Sequence, residues 1–153
     1  MRPLPRSRVP RSRFPLRRRP APTYFFGYSP LRAVRVSGHS MSPTLHWGDW
    51  VLFRRYRAPG DLTVQSNDEF ERALRNLSSE LTQKVVLIAR LGPSGQRDLM
   101  QIKRVMKVEL VSENEIGIWV EGDNAAASSD SRHWGHVMPE EIIGIYFRRY
   151  HLG

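Results

Sequence analysis

Apolar residues recur at every second position, or in short β-branched runs, through most of this chain, and at helical spacing in one segment only. Ala33–Val36 and Trp50–Phe53 read as two short strands, with Gly48 and Asp49 as a turn signal before the second. After Arg57, the Pro59 and Gly60 turn leads to a short strand candidate at Asp61–Val64. The period then changes. Phe70, Ala73, Leu74, Leu77 and Leu81 fall at i, i+3, i+4, i+7 and i+11, and Ser66 with Glu69 has capping-box form, so an amphipathic helix is predicted from about Asp68 to Leu81. Strand spacing returns at Val85–Ala89, and a turn signal at Gly92–Gly95 precedes a long alternating strand over about Leu99–Val111. In that strand Met100, Ile102, Met106, Val108 and Leu110 share one face and Gln101, Lys103, Lys107 and Glu109 the other, so alternation alone turns Lys103 away from the core. Ile116–Val120 and Ile142–Phe147 are further strands, separated by a small-residue loop over Glu121–Gly135. Short strands, turn signals and a single helix predict a mainly β domain with a barrel or folded-sheet core.

Composition divides the chain before that domain begins. Prolines at 3, 5, 10, 15 and 20 exclude helix and strand from the first 22 residues, so a disordered tail at 1–22 and one domain at 23–153 are expected. The net charge is +9, and the first 20 residues hold eight arginines and no acid, which assigns the basic character to the tail. Such a tail suits weak contact with an anionic membrane surface. Nucleic acid is not the expected partner, because no aromatic is interleaved for base stacking. The aromatic patch Tyr24–Tyr28 is expected to pack on the domain edge or to touch lipid shallowly. No apolar run approaches bilayer-spanning length and no signal-peptide core forms, which predicts a soluble, cytoplasmic protein or one peripheral to the membrane surface. The absence of cysteine excludes disulfides, thiolate nucleophiles and cysteine-ligated zinc.

Chemistry concentrates in three stretches. In VSGHSMSPTLHWGDWVLF, Gly38 lets the backbone turn and Pro43 keeps Ser40 and Met41 from opening a helix, so the Ser40 hydroxyl is presented beside free backbone N–H groups. QIKRVMKV, Gln101–Val108, carries a lysine in a strand, and EGDNAAASSDSRHWGHV, Glu121–Val137, is a loop with acids and an arginine. A serine hydroxyl needs a base to take its proton. A lysine amine, with an ordinary pKa of about 10.4, serves only where its surroundings favour the neutral form. Met41, Ile102 and Val105 are placed to supply apolar surroundings, with Arg104 as a neighbouring cation. A rival Ser/His/Asp site is disfavoured, since His39 is adjacent to Ser40 and His133 and His136 lie in the loop expected to brace the site. No metal site is expected, for want of a third ligand at useful spacing.

GHSMSPTL with GDWVLF, then IKRV, then GDNAAASSDSRHWGHV, in that order, resemble the serine/lysine peptidases related to type I signal peptidases. The resemblance covers roughly residues 34–146. It implies the folded β-sheet barrel of signal peptidases and SOS repressors, with one short inserted helix. It also implies Ser40 as nucleophile, Lys103 as general base, Ser128 as the hydroxyl orienting that base, and Asp130 with Arg132 as a buried supporting pair. Gly38, His39, Met41 and Pro43 then form the oxyanion and substrate loop. Two departures stand out: Gly38 replaces the small hydroxyl residue that in many relatives supplies the second oxyanion donor, and IKRVMKV lacks the Gly-Leu-Pro-Gly-Asp continuation.

The compact form is most similar to the nickel-type superoxide dismutase maturation proteases. That branch implies removal of the N-terminal propeptide of a nickel superoxide dismutase precursor, with no cofactor in the protease. The alternative is a signal-peptidase-like enzyme cleaving exported preproteins at the membrane surface. A DNA-associated, self-cleaving repressor is a third reading, but no helix-turn-helix pattern precedes the serine.

Overall fold

Two apolar faces of one sheet, each covered by a different segment, organise this chain. The structure, a computed structural model, describes residues 29–59, 66–91 and 97–150. The expectations for the 1–22 tail, the Tyr24–Tyr28 patch, the Asp61–Val64 strand and the Gly92–Gly95 turn lie outside the described residues.

The elements are β1 (Leu31–Arg35), β2 (Trp50–Arg55), α1 (Asn67–Leu81), β3 (Val85–Leu91), β4 (Arg97–Ser112), β5 (Glu115–Glu121), α2 (Ser131–Trp134) and β6 (Ile142–Tyr150). The strands form one antiparallel sheet in the order β1-β2-β6-β3-β4-β5. The fold is therefore mainly β, as predicted, but the sheet is not closed into the expected barrel. The register gives the reason. β4 pairs with β3 from Arg97 to Arg104 and with β5 from Arg104 to Ser112, so β5 runs on past the end of β3 and the edge strands β1 and β5 do not pair.

The predicted helix is present, one residue longer at its start. Ser66 is its extended N-cap but makes no side-chain capping bond, while Asp68 and Glu69 complement the positive end of the helix. Its buried stripe, Phe70, Leu77 and Leu81, packs with Val86, Ile88, Val105, Ile118 and Val120 in one core. The opposite core holds Val36, Met41, Leu45, Val51, Phe53, Val85 and Leu87. The Val85–Ala89 part of β3 is thus buried on both faces, which explains why its sequence is continuously apolar rather than alternating. The expectation of a single helix misses α2, a single turn in the loop after β5. No helix among the described residues is long and apolar enough to cross a membrane.

The facing of β4 differs from the alternation. Lys103 is 3% exposed and Val105 fully buried, whereas Met100, Met106 and Leu110 are 45%, 38% and 49% exposed. An irregularity in the register at Met106, where the pairing steps from Val105↔Val120 to Lys107↔Trp119, inserts an extra residue. One extra residue exchanges the two faces beyond it, so no single parity describes the whole strand.

Candidate active site

The loop between β1 and β2 is folded by its own backbone bonds. Val36 N–H donates to the Asp49 carbonyl at 2.8 Å and Gly48 N–H to the Val36 carbonyl at 2.9 Å, which closes the loop at its base. Leu45 N–H donates to the Met41 carbonyl at 2.9 Å, and these two side chains, each 2% exposed, plug the loop into the core. Ser40, just before the Met41 anchor, is left half-buried at the rim. Gly38 has φ +100 with open space around its absent Cβ, so its conformation, not crowding, calls for glycine. Among the described residues no acceptor takes the Ser40 N–H. Pro43 is exposed, and its peptide bond with Ser42 is cis.

The loop after β5 reaches back to this serine. Asn124 N–H donates to the Ser40 carbonyl at 2.9 Å. A Cβ on Gly122 would stand 2.6 Å from that carbonyl oxygen and equally close to the Ser128 Cβ, so only glycine lets the two loops approach. Thr44 hydrogen-bonds through its hydroxyl to Asp123, which Arg104 grips with Nε at 2.8 Å and Nη2 at 2.7 Å. Arg104 also donates to the Gln83 carbonyl at 3.0 Å.

Lys103 leads a second, more deeply buried series. Its Nζ donates to Ser128 Oγ at 3.0 Å, and Ser128 Oγ donates to Asp130 Oδ2 at 2.6 Å. The Asp130 side chain, with no exposed surface, also accepts from Gly122 N–H at 2.8 Å and from Arg132 through Nε at 2.8 Å and Nη2 at 2.6 Å. It caps α2 as well, accepting from the Arg132 N–H at 3.2 Å. Ser131 fastens the start of that helix to β5 by accepting from Val120 N–H at 2.9 Å.

Burial lowers the Lys103 amine below its ordinary value; the Asp130 charge opposes this and the Arg132 charge reinforces it. The cation acting on Lys103 is therefore Arg132. Arg104, expected in that role, is turned onto Asp123. Burial would raise the Asp130 carboxyl, but the bonds from Arg132, Ser128 and the Gly122 N–H outweigh it and hold the group well below the usual carboxylate range.

Gly38, His39, Ser40, Met41, Lys103 and Ser129 line one groove of about 400 Å³. Ser128 and Asp130 lie behind Lys103, and Pro43 is not part of the lining. Each histidine of the rival triad has a partner other than Ser40. The His39 ring meets Trp47 edge-on at 5.9 Å, His133 Nδ1 accepts from the Asp130 N–H at 3.4 Å, and His136 Nε2 pairs with Glu109 at 2.7 Å. Among the described residues no group of three metal-ligating side chains occurs. No family model and no curated protein matches the chain.

Thr44, Gly122, Asp123 and Asn124 bind the two loops together, yet sequence reasoning gave none of them a role. The readable signal was the Gly-Asp-Asn run beginning the post-β5 loop, paired with an arginine next to Lys103.

Proposed function

We propose that this protein is a serine endopeptidase with a Ser40/Lys103 dyad. The observation that carries the reading is a lysine 3% exposed, hydrogen-bonded to a buried serine, on the same groove as a half-buried serine hydroxyl. Ser40 Oγ attacks the scissile carbonyl while the neutral Lys103 amine takes its proton. The same nitrogen then returns that proton to the leaving amine. Ser128 accepts one amine N–H, which fixes the direction of the nitrogen lone pair, and Asp130 fixes Ser128 by accepting a hydrogen bond from its hydroxyl. The Ser40 N–H is the candidate donor to the oxyanion. Water deacylates the enzyme with Lys103 as base.

For the substrate, the resemblance of the ordered motifs to the nickel-type superoxide dismutase maturation proteases supports the N-terminal propeptide of that dismutase precursor. The test is mass spectrometry of such a precursor incubated with the purified protein or its Ser40→Ala variant. Propeptide loss with the unmodified protein alone is expected. An intact precursor in both tubes refutes this substrate and leaves exported preproteins as the next to try.

A further inference from the structure

Subtracting the tail's arginines leaves a domain that looks nearly neutral, but its charges are segregated. Arg32 and Arg35 on β1, Arg54 and Arg55 on β2, and Arg148 and Arg149 on β6 put six arginines on three adjacent strands that hold no acid, with Arg57 just after β2 and Arg149 bonded to Asp49 in the turn before it at 3.1 Å. The rest of the domain carries the opposite excess, so the basic character is not confined to the tail.

Register orders one face of these strands into three cross-strand rows. Leu31, Arg54 and Ile145 stand abreast, then Ala33, Leu52 and Arg148, then Arg35, Trp50 and Tyr150. Each row has one arginine and two apolar or aromatic residues, and all nine are exposed or half-buried. Ile145 also pairs with Val86 of the α1-covered core, so the rows continue the sheet face that α1 covers farther along, where it packs on β4. Phe147, 48% exposed, borders them.

We propose that this β1–β2–β6 face docks on a bilayer of anionic lipids. Guanidinium groups meet headgroup phosphates while the aliphatic stems, Leu52 and the amphipathic Trp50 and Tyr150 rings enter the headgroup boundary. Single-stranded nucleic acid would also take arginines and rings, but two features favour lipid. The Trp50 and Tyr150 rings lie against each other, centroids 6.1 Å apart, instead of offering separate stacking faces, and the leucines and alanine have no counterpart on a phosphate backbone. The excess of acid on the remaining elements orients the molecule as it approaches, with the arginine face toward the anionic surface. Val34 and Arg35 of β1 also line the Ser40 groove, so docking brings that groove beside the bilayer. The inference does not depend on the peptidase reading.

The test is co-sedimentation of the full chain with phosphatidylcholine vesicles with or without about 30% phosphatidylserine, at about 0.1 M salt. Three full-length variants accompany it: Arg35→Gln/Arg54→Gln/Arg148→Gln, the same three positions changed to Lys, and the eight tail arginines changed to Gln. The unmodified chain should bind only the anionic vesicles. At about 1 kcal/mol for each basic residue at the surface, the glutamine triple variant should lose roughly a hundredfold in partitioning. The lysine variant should retain most of it, and a thermal melt verifies that both are folded. Failure of the unmodified chain to sediment overturns the proposal. So does a glutamine variant that binds undiminished while the tail variant loses everything, or equal losses with lysine and glutamine. Binding of oligouridylate but not vesicles gives the face to nucleic acid instead.

Discussion

Two arginine–aspartate pairs of almost the same geometry hold the loop after β5, and their surroundings give them different work. Arg132 holds Asp130 and Arg104 holds Asp123, each through Nε and Nη2 at 2.6–2.8 Å. The Asp130 side chain has no exposed surface and meets Lys103 through Ser128; the Asp123 side chain, 15% exposed, meets Thr44 of the serine loop. Both carboxyls are held below their ordinary pKa, Asp123 chiefly by its bonds from Arg104. On the peptidase reading, the first pair sets the proton energetics of Lys103, and the second sets where Ser40 stands. An ion pair's chemistry is thus decided less by its own bonds than by the third group it touches and by how much water reaches it.

The largest effect comes from removing what the two pairs serve. Ser40→Ala and Lys103→Met should each lower cleavage on the order of 10⁴-fold or more, with far-UV circular dichroism unchanged. Turnover near the unmodified rate in either variant refutes the dyad.

Gly122 joins the two systems, since its N–H serves Asp130 while its missing Cβ makes room for the Ser40 carbonyl. Gly122→Ala should therefore injure both, lowering stability by about 1–3 kcal/mol and activity by roughly a hundredfold. A denaturant midpoint equal to that of the unmodified protein would show that the loops are not so closely apposed.

The pairs separate by pH. Cleavage should rise as Lys103 loses its proton, along a limb below the ordinary lysine value of 10.5. Across the same window the unfolded chain holds a proton that the folded one has shed, so stability also rises with pH there. Arg132→Gln removes a charge that lowers the amine and leaves Asp130 opposing it, so the limb should move toward alkaline pH. The activity deficit should then be present near neutrality and vanish in alkali; a pH–rate profile superimposable on that of the unmodified protein would rule this out.

Asp123→Asn should behave otherwise. Loss of a charge-assisted grip is expected to cost about 1–2 kcal/mol in a thermal melt and roughly tenfold in kcat/KM, with the limb unmoved. A displaced limb in this variant would erase the distinction between the pairs.

Local patterns made much of this molecule legible. The five apolar positions of α1 announce the helix, and the unbroken apolar run of β3 marks a strand buried on both faces. The Ser40 loop was readable from Gly38 and the Gly48–Asp49 turn, because turn chemistry is local. Lys103 was misread because facing along β4 depends on an irregularity at Met106 that alternation does not reveal. The open sheet was not legible either, since closure depends on the stagger of β5 along β4. Arg104 was judged by its neighbour in sequence, whereas its partner, Asp123, lies 19 residues on.

The tie between Thr44 and Asp123 spans 79 residues. Contacts of such span wait until the intervening chain has condensed, because closing the loop costs entropy before the contact repays it. During synthesis Ser40 leaves the ribosome first, Lys103 later, and the Gly122–Arg132 segment that steadies both later still. On the peptidase reading, an unfinished chain holds a serine with nothing to activate it, and cutting power arrives only with the completed domain. On that reading, order of birth acts as a safety catch that protects the nascent protein and its neighbours.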